Sequence, residues 1–372
     1  MATVTHGGVF QYTFNGAPPW AVCGQAGNPA CVYGGSVCAA TGWPNITWCK
    51  GIITKTADMQ AFITAVMNRY NGVNGHGLIS VFEVNNEDYY MNGTVNCTTS
   101  GTTGPTAIFA QTVDLEVKAA KAGNPNTLIA AFGLTSINAC FASGEEFDGL
   151  WTAWGSIAGN SRGQVNAISF HDYPDGCCGG ATVPVPEEVA VGTGFGLGSC
   201  FNVGFIPCVQ AAITRLGISS SVQLWDTESS WGINSQLPNS TNQVAYVARE
   251  ELLLWAKGVS RHNWYSWNES AWGTMCTGSP CTANANATAY QQIYNWMVGS
   301  TMTSNCAASG TVWTCGLKNS SGVQTQAVWN TAGSSTYTVS TGYGHYKDLA
   351  GNSNTISGST VTIGIQPILL VP

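Results

Sequence analysis

The first 300 residues alternate between short apolar runs and longer stretches with apolar residues at helical spacing. The apolar runs predict six strands, at 8–14, 78–84, 127–133, 165–171, 221–228 and 259–267. The stretches between them predict six helices, at about 59–70, 105–123, 145–158, 207–217, 241–258 and 287–298. Successive βα units predict a parallel sheet with helices outside it. The first unit has no dinucleotide fingerprint, which favours a TIM-type barrel over a doubly wound sheet.

After Gly299 the pattern changes to short segments of alternating polar and apolar residues, separated by Gly, Ser and Asn turns. Such segments predict a small antiparallel β-sandwich. We therefore predict a barrel-like domain at 1–299 and an accessory sandwich at 300–372. Thr241 is a possible N-cap for the fifth helix.

Charge and composition narrow the function. Charged residues make up 8% of the 372-residue chain, against about 25% in ordinary domains, and the formal net charge is −7. With no basic cluster, we predict neither nucleic-acid binding nor adhesion to an anionic membrane. No run of about 20 apolar residues occurs, so no membrane span is predicted either.

The 14 cysteines indicate an exported protein with disulfides. Most lie in loops and in sequence-local groups: Cys23/Cys31/Cys38/Cys49, Cys177/Cys178, Cys200/Cys208, Cys276/Cys281 and Cys306/Cys315. The five histidines are scattered, and metal sites need clustered ligands. We predict no metal and no cofactor.

Two glutamates occupy matching positions at strand ends. Glu87 closes the second predicted strand and Glu228 closes the fifth. In α/β barrels this end of the strands carries the active site, and the two side chains are expected to face each other across its opening. A lone glutamate there is more often a surface charge or a helix N-terminus ligand. A pair suits glycosidic bond cleavage, which needs one acid and one nucleophile or base.

Other side chains near these ends suit sugar binding. His171 and Tyr173 share a parity on the fourth strand, so both can point inward. The sixth strand ends in a segment with Trp264, Trp267 and Trp272, and with Trp20 and Trp231 these form an aromatic set near the mouth. Flat aromatic rings suit the apolar faces of sugars. A satisfied core histidine and ordinary core tryptophans remain the alternative interpretation.

At these residues the sequence resembles clan A glycoside hydrolases, nearest to the family 39 or family 5 type of (β/α)₈ enzyme. Asn86-Glu87 matches the Asn-Glu pair of that group, which implies that Glu87 is the acid/base and that Asn86 binds the sugar 2-hydroxyl. Glu228 matches the nucleophile. His171 and Tyr173 match its His-x-Tyr element, and Trp267 or Trp264 its platform tryptophan, while the sandwich resembles its C-terminal β-domain.

The sequence also departs from this group. Asn85 stands where a Trp is common, and Asp88 where a Pro is common. If Glu87 ends the fourth barrel strand, the strand at 8–14 is the third, and two βα units are absent. Either the sequence begins inside a longer protein or the barrel has about six units. We expect the N-terminal tail, a loop or a second copy of the chain to cover the resulting open edges.

The resemblance implies a secreted retaining hydrolase of β-linked polysaccharide or oligosaccharide, with β-1,4-glucan or xylan and endo-action favoured. A non-catalytic carbohydrate-binding protein on a degenerate barrel is the first alternative. A disulfide-rich structural or adhesion protein with an accidental glutamate pair is the second.

Overall fold

The computed structural model describes residues 9–21, 37–40, 47–50, 53–87, 105–135, 145–174, 183–188 and 204–372. The chain divides into two compact units. The first runs to His171 and resumes at Cys208–Thr227, and the second starts at Asp172 and includes Glu228–Pro372. The chain thus changes unit after His171 and after Pro207, and for the last time after Thr227, whereas the predicted boundary at residue 299 is where helices give way to antiparallel strands. The assignment of 1–299 and 300–372 as separate domains stays a prediction.

Six strands form one sheet and confirm the predicted incomplete barrel. The strands up to residue 264 are β1 (Gln11–Thr13), β2 (Val37–Ala40), β3 (Thr47–Lys50), β4 (Val81–Val84), β5 (Leu128–Thr135), β6 (Ala167–His171), β7 (Gln223–Ser229) and β8 (Val259–Trp264). The sheet order is β1-β4-β5-β6-β7-β8, and the neighbours from β1 to β7 pair in parallel. Strands β2 and β3 form a separate antiparallel hairpin between the first predicted strand and the first predicted helix.

The six predicted helices are confirmed. They are α1 (Thr56–Arg69), α2 (Pro105–Gly123), α3 (Glu145–Gly155), α4 (Phe205–Arg215), α5 (Ser240–Ala256) and α6 (Ala285–Met297). The predicted N-cap at Thr241 is wrong. The cap of α5 is Asn239, whose side-chain oxygen accepts hydrogen bonds from the backbone N–H groups of Thr241 and Asn242. Both residue types are good caps, and here the earlier one reaches the free N–H groups.

The C-terminal segment forms the predicted antiparallel β-structure. After the two short strands β9 (Cys276–Thr277) and β10 (Thr282–Ala283) come β11 (Thr301–Ser309), β12 (Val312–Lys318), β13 (Gln324–Asn330), β14 (Ser335–Thr338), β15 (His345–Lys347), β16 (Ser353–Thr355), β17 (Thr360–Ile363) and β18 (Ile368–Val371). One sheet has the order β11-β12-β13-β18-β15-β16, and β14 pairs with β17.

The larger of these sheets shares a hydrophobic core with α5 and α6. Trp313 and Trp329 stack with their ring centroids 5.7 Å apart, in the same cluster as Leu252 and Ile293. Trp329 also donates its indole N–H to Glu187, which forms a buried ion pair with Arg249 of α5. Within the second unit, the sheet and the two helices are therefore one packed body.

Two disulfides each join cysteines of one sequence-local group, Cys276–Cys281 and Cys306–Cys315, and none of the described cysteines is free. Cys38 lies opposite Cys49 in the hairpin of β2 and β3. Cys23, Cys31, Cys177, Cys178 and Cys200 lie outside the described residues. Within the described part of the chain, none of the helices has the length and apolar content needed to span a membrane.

A buried carboxylate holds the first unit's helices together. Asp114 of α2 is 2% exposed and accepts from the indole N–H of Trp154 at 2.9 Å and from the backbone and hydroxyl of Ser161 at 2.6 and 2.7 Å. Lys118 adds an ion pair at 2.6 Å. Burial alone would raise the pKa of Asp114, but these donors outweigh burial and lower the pKa.

Replacing Asp114 by Asn tests this contact. Both carboxylate oxygens of Asp114 accept hydrogen bonds, and the amide nitrogen of asparagine can only donate, so two donors would face each other. We therefore expect Asp114→Asn to lower the free energy of unfolding by about 1–3 kcal/mol. Asp148→Asn, which breaks a partly exposed pair with Arg215, should cost less than about 1 kcal/mol. Thermal or denaturant unfolding measures both, and equal losses would contradict the assignment.

Candidate active site

The backbone after β4 is strained where Glu87 is presented. Asn85 and Glu87 have φ angles of 63° and 55°, in the left-handed region that non-glycine residues rarely adopt. Asn85 is buried, and none of the described residues is a hydrogen-bond partner of its side-chain nitrogen. Such strain is held only where the surroundings demand it, and it concentrates at functional sites.

A bulge in the neighbouring strand β5 supplies those surroundings. The pairing of β5 with β6 shifts register between Ala131 and Leu134. Within the bulge, Gly133 accepts a hydrogen bond from the Glu87 N–H at 3.1 Å and donates to the Ser169 hydroxyl at 2.9 Å. Gly133 has a φ of 60°, and a Cβ there would lie 2.9 Å from the Asn85 carbonyl oxygen. Only glycine therefore lets β5 approach the segment that carries Glu87.

Glu87 meets His171, the last residue of β6. Its Oε1 lies 2.8 Å from the imidazole Nδ1. The Glu87 side chain is 19% exposed and that of His171 only 1%. The carboxylate thus keeps access to solvent on one side while the ring behind it is fixed.

Glu228, near the end of β7, has a different partner. The Tyr173 hydroxyl donates to its Oε1 at 2.9 Å. The ring of Tyr173 is buried and lies edge-on to Trp272, with ring centroids 5.7 Å apart. His171 and Tyr173 are separated by a single residue, so one short segment supplies a partner for each glutamate.

A third carboxylate lies inside the barrel. Glu83 of β4 is 1% exposed and accepts three hydrogen bonds, from Gln11 and Thr13 of β1 at 2.8 Å each and from Thr227 of β7 at 2.5 Å. Strands β5 and β6 separate β4 from β7 in the sheet. The contact with Thr227 therefore crosses the interior, which is possible because the sheet is strongly curved.

Beside Glu228, a buried network surrounds Ser229. The Ser229 hydroxyl lies 3.2 Å from Glu250 and 3.0 Å from His262 Nε2, while His262 Nδ1 lies 2.8 Å from Glu251. Tyr246 donates to Glu250 at 3.2 Å. A serine, a histidine and a glutamate in this order resemble a hydrolytic triad, but Ser229 is fully buried and cannot reach a substrate.

The tryptophans predicted to bind substrate fall into two groups. Trp20 and Trp267 are 50% and 53% exposed, and Trp20 lines a cleft of about 370 Å³. Trp231 is fully buried, with its ring edge-on to Trp264, and its N–H donates to Asn234. Trp264 donates to the Gly273 carbonyl and packs against the same core. Trp231 thus presents no ring face to solvent, and it is an ordinary core tryptophan, as the alternative interpretation had it.

Three of these side chains also offer donors of the kind that transition metals take, namely Glu87, His171 and Glu228. Each has a protein partner in the contacts described above. The prediction that the chain binds no metal stays a prediction.

Sequence reasoning missed Glu83, Thr227 and Gly133. One signal was available for Glu83, a charged residue in an otherwise apolar strand with the same parity as Glu87. Asn86 is partly buried beside Glu87, but its binding role stays a prediction.

Comparisons with known proteins agree with this geometry at the level of fold. No protein-family model matches the chain, and no curated protein matches it. A family 39 glycoside hydrolase from Bacteroides cellulosilyticus WH2 matches with a TM-score of 0.65 at 15% identity, over 100% of this chain and 76% of that one. The chain is similar in fold to clan A glycoside hydrolases.

Two further structures extend the similarity. A family 44 xyloglucanase from Paenibacillus polymyxa matches with a TM-score of 0.58 at 11% identity, over 100% of this chain and 82% of that one. CelM2, a bifunctional glucanase-xylanase from a metagenome library, matches with a TM-score of 0.55 at 15% identity, over 100% of this chain and 77% of that one. The predicted resemblance is thus confirmed, and identities this low establish fold alone.

The network around Ser229 makes stability depend on pH. Burial raises the pKa of Glu250 well above its ordinary value of 4.5, and the negative charges of Asp172 and Glu251 raise it further, while His262 opposes them. Above about pH 4.5 the carboxyl is ionised in the unfolded chain but stays protonated in the folded chain. The free energy of unfolding therefore falls as pH rises through this interval, by about 1.4 kcal/mol per pH unit for one proton.

Glu250→Gln removes this titration while keeping a side chain of the same shape. We expect its melting temperature, relative to the unmodified protein, to be higher at about pH 8 than at about pH 5. Glu269→Gln, in the partly exposed loop after β8, controls for the loss of one negative charge. If the difference in melting temperature between Glu250→Gln and the unmodified protein is the same at both pH values, Glu250 is not protonated in the folded chain. The same conclusion follows if Glu269→Gln shows an equal change with pH.

Proposed function

We propose that this protein is a secreted retaining glycoside hydrolase of β-linked polysaccharide or oligosaccharide. Glu87 is the acid/base and Glu228 the nucleophile. The observation that carries the proposal is the pair of hydrogen bonds from one segment, His171 to Glu87 and Tyr173 to Glu228. A fold similar to that of glycoside hydrolases supports it.

The two partners suit two different roles. Tyr173 can only donate to Glu228, and this orients one carboxylate oxygen and leaves the other for attack on the anomeric carbon. His171 can accept or donate at Nδ1, so it can stay bonded to Glu87 whether the carboxyl is protonated or ionised. A general acid that later acts as a base needs a partner of this kind.

The reaction then proceeds by double displacement. Glu228 forms a bond to the anomeric carbon as the glycosidic bond breaks, and the Glu87 proton goes to the leaving oxygen. In the second step Glu87 takes a proton from water, whose oxygen displaces Glu228. The products are a free alcohol and a sugar with its original anomeric configuration.

The exposed rings of Trp20 and Trp267 are proposed as platforms for sugar units, with Asn86 binding a hydroxyl next to the anomeric carbon. We favour β-1,4-glucan or xylan as substrate, since a xyloglucanase and a glucanase-xylanase share the fold. Long segments after the strands favour endo-action, and the disulfides suit an extracellular enzyme.

A substrate panel tests the activity. The protein would be incubated with β-glucans, xylans, mannans and galactans, with reducing ends and product sizes as the readout. Proton NMR of the first product would report its anomer, and retention is expected. Inversion would contradict the role of Glu228 as nucleophile, and sugar binding without any product would favour the non-catalytic alternative.

Variants test the two roles separately. Glu228→Ala is expected to lower kcat by at least about 10⁴-fold, because no nucleophile remains. Glu87→Ala should lose most activity on polysaccharide but recover part of it on aryl glycosides, whose leaving groups need no proton.

Asp148→Asn on α3, whose carboxylate pairs with Arg215, is the matched control and should keep full activity. Circular dichroism would confirm that each variant is folded. Activity of the folded Glu228→Ala protein close to that of the unmodified one would overturn the assignment of the nucleophile.

A further inference from the structure

We infer that Glu83 is a positioning residue, which aligns the strand ends that carry Glu87 and Glu228. The inference rests on the proposed function and extends it to residues that touch no substrate. Its basis is the hydrogen bond across the barrel interior from the Thr227 hydroxyl to Glu83. Thr227 directly precedes Glu228, and Glu83 lies four residues before Glu87 on the same strand.

The buried carboxylate of Glu83 depends on the hydrogen bond from Thr227. Glu83 is buried, and its described partners are three neutral donors, with no cation among them. A buried carboxylate costs free energy unless its oxygens are hydrogen-bonded. Thr227 is therefore held at the distance that a short hydrogen bond requires, and β7 is held with it.

The layer below fixes the same strands by packing. Val81, Ala130, Ala167 and Trp225 form a buried cluster, in which Val81 and Trp225 lie two residues before Glu83 and Thr227. Side chains two residues apart on a strand point to the same side. The Trp225 ring packs against Ala130 and Ala167, and this packing sets the spacing between the strands. One layer nearer the strand ends, the hydrogen bonds of Glu83 set the spacing between the same strands.

The proposed mechanism is sensitive to this spacing. Retaining enzymes need their two carboxyl groups about 5–5.5 Å apart, and inverting enzymes leave room for a water between them. A displacement of about 1 Å can lower the rate about 100-fold. Glu83 and Thr227 are buried and touch no substrate, so their loss removes no binding contact. Loss of the Glu83 contact should therefore lower kcat and leave KM nearly unchanged.

Thr227→Val is the main test, because valine keeps the shape of threonine and removes the hydroxyl. We expect kcat to fall at least about 10-fold with KM within about 2-fold, and Thr227→Ser to recover most of the loss. Glu83→Ala removes all three hydrogen bonds and should lower kcat about 100-fold.

Glu83→Gln is the conservative variant at the other end. Its oxygen can face Gln11 and Thr13 while its nitrogen donates to the Thr227 hydroxyl. That hydroxyl can then donate to the Phe170 carbonyl, which lies 3.4 Å away. We expect kcat within about 5-fold of the unmodified protein, because the contact across the barrel persists.

Asp114→Asn is the matched control, since it also alters a buried, hydrogen-bonded carboxylate of the same unit. It should lower the melting temperature and leave kcat unchanged. If Thr227→Val lowers kcat no more than Asp114→Asn does, Glu83 has a structural role only and the inference is wrong.

A double-mutant cycle on melting temperature separates the two levels of the proposal. In the Glu83→Ala background, Thr227→Val should lower the melting temperature less than it does alone. Additive shifts would show that the contact is absent and would overturn the inference even if the hydrolase assignment holds. Failure of the unmodified protein to release any product would overturn the proposed function, and this inference with it.

Discussion

A buried carboxylate needs donors, and the donors for Glu83 come from two other strands of the half-barrel. Gln11 and Thr13 belong to the neighbour β1, but Thr227 belongs to β7, which is three places away in the sheet. A flat sheet would hold these strands roughly 14 Å apart, since neighbours are spaced by about 4.7–4.9 Å. The hydrogen bond at 2.5 Å thus requires strong curvature, and strand ends that would otherwise diverge point to a common centre.

At the strand ends above Glu83, Glu87 and Glu228 are likewise held by hydrogen bonds to their neighbours. Glu87 depends on Gly133 of the β5 bulge for a backbone partner and on His171 for a side-chain partner. Glu228 depends on Tyr173, and its neighbour Ser229 lies in the network of Glu250 and His262. In a chain with so few charges, Glu83 and Glu228 accept hydrogen bonds from amide and hydroxyl groups, and Glu87 is bonded to an imidazole.

Local patterns were sufficient for the elements and for part of the site. Strand and helix periods gave all six βα units to within about three residues, and the parity of His171 and Tyr173 placed both on the inward side. The Glu83–Thr227 contact joins residues 144 positions apart, and no local pattern carries that information. Trp231 and Trp267 look alike in sequence, but one is fully buried and the other 53% exposed, since burial depends on what packs against each ring.

The shared core of the second unit limits how the chain can be divided. Trp313, Trp329 and Leu369 come from the sandwich, and they pack in one cluster with Leu252 of α5 and Ile293 of α6. A cut at residue 299 would expose buried apolar side chains of the helices, such as Leu252 and Ile293, to water. It would also remove Trp329, which donates a hydrogen bond to Glu187 of the Glu187–Arg249 ion pair. The sandwich is thus not a portable module. It has to evolve together with the helices it covers, and grafting it onto another barrel would require transplanting that helical surface as well.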